Sequence, residues 1–131
     1  MHSIINDKYL EKLAYEIAKR TFEKISLEEE QEAKNVTANN LRNILDAATE
    51  ALDKGVWEIF VLKTIYVARQ ARDYDPLYYF VRRLLRELNN VARENNLSTE
   101  QKLRLAHKTA IACVYMYTAL KTGFRKLIYM R

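Results

Sequence analysis

Val56–Arg72, VWEIFVLKTIYVARQAR, is the stretch whose reading decides the fold. Between Val56 and Ala71 it is polar only at Glu58, Lys63, Thr64, Arg69 and Gln70. Its valines, isoleucines and aromatic residues suit a buried strand, so residue type alone leaves helix and strand open. Length separates them. No Gly, Pro or Asn interrupts the run, strands seldom exceed ~10 residues, and the polar positions do not alternate. As a helix, the stretch places Glu58, Arg69 and Arg72 on one narrow edge, with Lys63 and Gln70 about a third of a turn away. A helix apolar around most of its circumference is normally enclosed by others. The stretch is therefore expected to be the central post of a small bundle, with a basic lower end facing outward.

Composition agrees with an all-α fold. The chain has 131 residues but two glycines and one proline, which leaves little material for hairpin turns. The expectation is one domain, residues 1–131, built as a bundle of about five helices. No apolar run approaches ~18 residues, so no membrane span is expected. The beginning, MHSIINDKYLEK, has neither the basic start nor the apolar run of a signal peptide. The single cysteine, Cys113, lies in the apolar segment 110–117 and reads as a buried structural thiol. One cysteine excludes an internal disulfide and fits a reducing, cytoplasmic location.

The net charge of +5 conceals an asymmetry. Residues 1–55 carry eight Lys/Arg against eleven Asp/Glu, or −3; residues 56–131 carry the remaining fourteen against six, or +8. Such a split suggests a surface facing a polyanion; a solvated basic helix face is the plainer alternative.

The flanking segments supply the other helices. Leu10, Leu13, Ala14, Ile17, Ala18, Phe22 and Ile25 form an apolar stripe that predicts a first helix over Asp7–Ile25. Ser26-Leu27-Glu28-Glu29 matches a capping box, after which 27–36 reads as an exposed, mobile acidic connection. Its glutamates lack the matched histidine or facing carboxylates that a metal site needs. Thr37 is the expected N-cap of a second helix, Ala38–Lys54, stopped at Gly55, with Leu41, Ile44, Leu45, Ala48, Ala51 and Leu52 inward. Arg42 is expected on its outer side, beside Asn39 and Asn43, within reach of an intrahelical pair with Asp46.

Beyond the central stretch, Asp75-Pro76 signals the start of a fourth helix, Pro76–Asn95. Opposite its core stripe, Tyr79, Arg82, Arg83, Arg86, Asn90 and Arg93 crowd into about a quarter of the circumference. Ser98 to Gln101 is another capping box. The fifth helix then repeats apolar residues at steps of three and four, from Leu103, Ala106, Ala110, Cys113, Tyr117 and Leu120 to Phe124 and Leu127. Gly123 is expected to end or bend it. The apolar tail FRKLIYMR is expected to pack on its own bundle or on a second copy.

Catalytic chemistry finds little support. His2 stands near the beginning and His107 among residues read as exposed, neither with a partner at metal-ligand spacing. Gly55 and Gly123 make no phosphate-cradling loop, and no serine or cysteine sits near a credible base. No enzyme activity, cofactor or metal is expected. Arginine geometry remains. If the third and fourth helices are antiparallel neighbours, Arg69, Arg72, Arg82 and Arg83, with Lys63, form one patch edged by Tyr74, Tyr78 and Tyr79. Arginine forks suit phosphate oxygens and tyrosines stack on unpaired bases, so the patch points to RNA.

TANNLRNIL (Thr37–Leu45) followed by VLKTIYVARQARD (Val61–Asp73) resembles the small helical subunit of type III-A CRISPR (Csm) effector complexes. That family pairs a threonine-started helix bearing an arginine with a helix of the form LKxxYxAR; here the positions are Thr37, Arg42, Leu62, Lys63, Tyr66, Ala68 and Arg69. The likeness spans roughly residues 37–90 and does not separate the type III-A small subunit from that of the type III-B complex. The resemblance implies a non-catalytic, all-helical subunit, repeated along a ribonucleoprotein used in antiviral defence. Its partners would be guide and target RNA, other effector-complex subunits and further copies of itself. Arg42, Lys63 and Arg69 come into the candidate RNA-binding set through the resemblance. Arg72, Arg82, Arg83 and Arg86 come from the helix-face argument. A protein-interaction scaffold, such as a homodimer built on the fifth helix, is the alternative.

Overall fold

A computed structural model describes residues 6–27 and 35–130, which contain helices and turns and no strand. The helices are α1 (Asp7–Phe22), α2 (Ala38–Lys54), α3 (Trp57–Val67), α4 (Pro76–Glu94), α5 (Thr99–Lys121) and the short α6 (Arg125–Ile128). The all-helical expectation holds.

The core is organised around α5, not α3. Leu103, Ala106, Ala110, Cys113 and Leu120 of the expected seam are buried, and so is a second row, Leu105, Thr109 and Ala112. Two adjoining buried rows give α5 two faces to fill. α1 and α2 pack most extensively against it, and α4 closes on α1. Small residues along α5 allow this close approach. Phe22 of α1 meets Phe80 of α4 at a ring-centroid distance of 4.9 Å. Both rings are fully buried, and removing either should cost about 3–5 kcal/mol.

The greasy stretch instead forms an edge helix, shorter than expected. α3 rests mainly on α2, through Phe60 and Thr64, and leaves Leu62 67%, Ile65 49% and Tyr66 63% exposed. Its apolar character arises from two opposed faces, and α2 covers one. The helix stops at Val67 because the backbone tightens into successive turns: Ala68 donates to the Ile65 carbonyl, Arg69 to Tyr66 and Ala71 to Ala68. Arg69 and Arg72 consequently lie in the α3–α4 turn, outside the helix. Asp75 is buried and makes no cap to α4; its Oδ2 accepts from the Arg72 amide at 2.7 Å and closes that turn.

Other boundaries follow local chemistry. Asn6, Thr37 and Ser98 cap α1, α2 and α5, the last two through reciprocal capping boxes with Asn40 and Gln101. Gly55, at φ 69°, ends α2 in the left-handed region that favours glycine. α1 stops at Phe22, but Ile25 and Leu27 remain buried beyond it. Asn35 and Val36 are buried as well, so the described ends of the 27–36 connection are packed. The expected Glu28–Glu29 part of the capping box lies outside the described residues. α5 ends at Lys121 rather than continuing to Leu127. The tail then folds back on its own bundle: the Arg125 guanidinium donates to the Ile25 carbonyl at 2.6 Å, and the Tyr129 hydroxyl to the Lys19 carbonyl at 2.6 Å. Phe124, Leu127 and Met130 stay exposed.

Candidate nucleic-acid interface

The outer stripe of α4 exists much as its spacing suggests. Leu77, Phe80, Val81, Leu84, Leu88, Val91 and Ala92 are buried, and this turns Tyr79, Arg82, Arg86 and Arg93 to solvent. Arg82 and Arg86 are one helical turn apart, roughly 6 Å along the axis. Among the described residues, neither meets a carboxylate or a hydrogen-bond acceptor. Arg83 leaves the stripe. It is half-buried towards α1, with Glu23 at 3.9 Å and the Tyr79 hydroxyl accepting at 3.2 Å. Glu87 offers the stripe no compensation, because it pairs with Arg20 at 3.0 Å.

The α3–α4 turn precedes this stripe and carries exposed Arg69, Arg72 and Tyr74. The Arg69 guanidinium donates to the Tyr66 carbonyl at 3.0 Å, sharing that acceptor at the helix end with the Arg69 backbone amide. It also lies 4.2 Å from the centre of the Tyr66 ring. One donor of five is thus committed and the group is held in place, which lowers the ordering cost of a further ligand. The Arg72 side chain has no partner among the described residues.

The single patch expected from antiparallel α3 and α4 is divided in the structure. α3 and α4 touch little, since α3 leans on α2. Lys63 and Arg69 line a groove between α2 and α3 with a volume of about 600 Å³, together with Asn39, Asn40, Asn43, Asp46, Glu50 and Tyr66. Lys63 is tied to Glu50 at 2.7 Å, and that hydrogen bond holds the Glu50 carboxyl below its ordinary pKa. Arg42 is exposed on α2 but does not line the groove, and no ion pair joins it to Asp46. The candidate residues therefore fall into three settings. Arg69, Arg72, Arg82 and Arg86 are exposed without a carboxylate, as is Arg42 elsewhere; Lys63 and Arg83 have acidic neighbours. Asn39, Asn43 and Asp46 share the outer side of α2 as their spacing indicates, but that spacing did not show that they form a groove wall against α3.

Other reactive groups are partly or fully buried. Cys113 is fully buried, and burial pushes its thiol far above the ordinary range. His107 is half-buried rather than exposed, and burial, then the neighbouring Lys108 charge, lowers its pKa. Lys102 lies 4.1 Å from the centre of the Trp57 ring and is likewise lowered by burial, linking α5 to the start of α3. Among the described residues, no group of three or more His, Cys, Asp or Glu side chains is placed to hold a metal ion. No described helix is long and apolar enough to cross a membrane. No protein-family model, curated protein or solved structure matches the chain.

Proposed function

We propose that this protein is a non-catalytic, RNA-binding structural subunit of a type III-A CRISPR ribonucleoprotein, acting in the cytoplasm alongside guide and target RNA and other effector subunits. The observation that carries the reading is the set Arg69, Arg72, Arg82 and Arg86. All four are exposed, follow one another along one turn and helix, and lack a carboxylate partner among the described residues. Guanidinium groups left in water are available to phosphate oxygens, and such contacts hold a strand without reading its sequence. The likeness of Thr37–Leu45 and Val61–Asp73 to the Csm small subunit supplies the assembly. Replacing Arg82 and Arg86 with glutamate tests it. Single-stranded RNA should no longer shift the protein in a gel, while the thermal midpoint stays unchanged; RNA binding as tight as before would refute the reading.

A scaffold reading competes on one observation, the exposed apolar row Leu62, Ile65 and Tyr66. Large apolar residues aligned on an uncovered face mark interaction surfaces. Light scattering separates the two: a tight dimer indifferent to RNA favours the scaffold.

A further inference from the structure

We propose that the groove between α2 and α3 is a nucleobase-binding subsite that prefers guanine, an inference that rests on the RNA-binding reading. Its walls differ chemically. One wall presents Lys63 and Tyr66 of α3 with Arg69 from the turn that follows; the α2 wall presents Asn39, Asn43, Asp46 and Glu50, with Ala47 between them. The two helices run antiparallel through a short link at Gly55 and Val56, and the Lys63–Glu50 pair fixes their register. In that register Tyr66 stands opposite Asp46 and Ala47, and Arg69 opposite Asn43.

A bare phosphate backbone is a poor fit for this groove. One wall offers amides and carboxylates, and a phosphate laid against Asp46 would meet a like charge. A nucleotide satisfies both walls at once. Tyr66 lines the groove and is 63% exposed, with the Arg69 guanidinium 4.2 Å from its ring centre, so exposed ring surface remains for a base beside a cation already held there. Stacking on such a ring suits an unpaired base of a single strand. Arg69 keeps free donors for the phosphate of the same nucleotide. Lys63 neutralises Glu50, leaving Asp46 as the carboxylate without a partner among the described residues.

Asp46 sets the preference. An ionised carboxylate only accepts hydrogen bonds and has two oxygens to offer. Guanine alone among the RNA bases carries two adjacent donors, N1–H and the N2 amino group, on its pairing edge. The Asn43 amide, one turn before Asp46, can donate to guanine O6. Adenine and cytosine present one donor beside an acceptor, and uracil one donor between two acceptors. The volume of about 600 Å³ lies within the range of small-ligand sites.

The test is an amide-resolved NMR titration of the full chain with GMP, AMP and ribose 5-phosphate. GMP should shift amides around Asn43, Asp46 and Tyr66 and bind about 5- to 150-fold tighter than ribose 5-phosphate, the range expected for one stacked base. AMP should fall between them. Asp46→Asn should erase the advantage of GMP over AMP; Tyr66→Ala should bring both nucleotides down to ribose 5-phosphate. Both side chains are exposed, and a thermal melt confirms that each variant folds. Equal affinity for GMP and ribose 5-phosphate, or shifts confined to α4, overturns the subsite. An oligouridylate of about ten nucleotides serves as the separating control. If it binds and GMP shows no preference, the subsite falls and the RNA-binding reading stands; if neither binds, both fall.

Discussion

Thr64→Val should stabilise the fold, although the same exchange at the other buried helical threonines should weaken it. Thr21 and Thr109 are fully buried and donate to the carbonyl one turn back, Ile17 at 2.8 Å and Leu105 at 2.7 Å. Thr64, equally buried on α3, has no partner for its hydroxyl among the described residues. An unpaired buried hydroxyl costs about 1–3 kcal/mol, and valine keeps the shape and the β-branch while removing the polar atom. A gain of about 1–2 kcal/mol is expected. Unfolding entropy near 2.1 cal/mol/K per residue gives about 275 cal/mol/K for 131 residues, so each kcal/mol moves Tm by about 3.6 °C. Thr64→Val should therefore raise Tm by about 4–7 °C, whereas Thr21→Val and Thr109→Val, each losing about 1 kcal/mol, should lower it by about 4 °C. Differential scanning calorimetry of the three variants decides the matter. A drop in Tm for Thr64→Val comparable to the other two would refute the reasoning, because it would mean that the hydroxyl finds a partner.

If Arg69, Arg72, Arg82 and Arg86 each neutralise one phosphate, log K for single-stranded RNA should fall against log salt with a slope of about −2.8; Arg82→Ala/Arg86→Ala should halve it, and Arg20→Ala, whose guanidinium is engaged by Glu87, should leave it unchanged in anisotropy titrations across KCl. Cys113 should resist iodoacetamide at mildly alkaline pH until denaturant unfolds the chain, as mass spectrometry would register; rapid native labelling would contradict its burial. The lowered pKa of His107 means that the folded state refuses a proton that the unfolded chain takes up, so stability should decline as pH falls below about 6.5; His107→Gln should flatten that decline in urea midpoints. Leu62→Lys/Ile65→Lys should leave the thermal midpoint of the monomer nearly unchanged, as both residues are exposed, and should abolish any concentration-dependent association seen by light scattering.

What was legible in the sequence was local. Apolar spacing and capping chemistry placed α2, α4 and the start of α5, and Thr37, Gly55 and Ser98 do what such residues do at helix ends. Tertiary placement was harder. A high share of apolar residues does not distinguish a helix enclosed on all sides from one covered on one side and bare on the other, and α3 is the second kind. The signal for the true centre lay in α5, where Leu105, Thr109 and Ala112 form a row beside the regular seam. Two adjacent rows require two neighbours. The arginine patch depended on the same error: a central α3 must touch α4, whereas an edge helix leaning on α2 takes Lys63 and Arg69 towards Asn43 and Asp46. Arg83 stood at the margin of its stripe, and the proximity of Glu23, just past the end of α1, could not be foreseen from spacing within α4.

Moving α3 from centre to edge brings to the surface most of the α3 residues that carry the resemblance to the Csm small subunit. Leu62, Lys63, Tyr66 and Arg69 all face solvent, and Ala68 alone of that motif is buried on α3 and its turn. A pattern imposed by packing would fall on Phe60 and Thr64, the two positions that α3 buries. The motif includes neither of them. Leaving Leu62 and Tyr66 in water gains the folded monomer nothing, since apolar surface contributes when it is removed from solvent. In the RNA-binding proposal the gain comes from a base on the Tyr66 ring; in the scaffold reading it comes from an apolar neighbour against Leu62 and Ile65. A cation at Arg69, fixed by its own helix end and by the same ring, favours an anionic occupant at the Tyr66 end of that face.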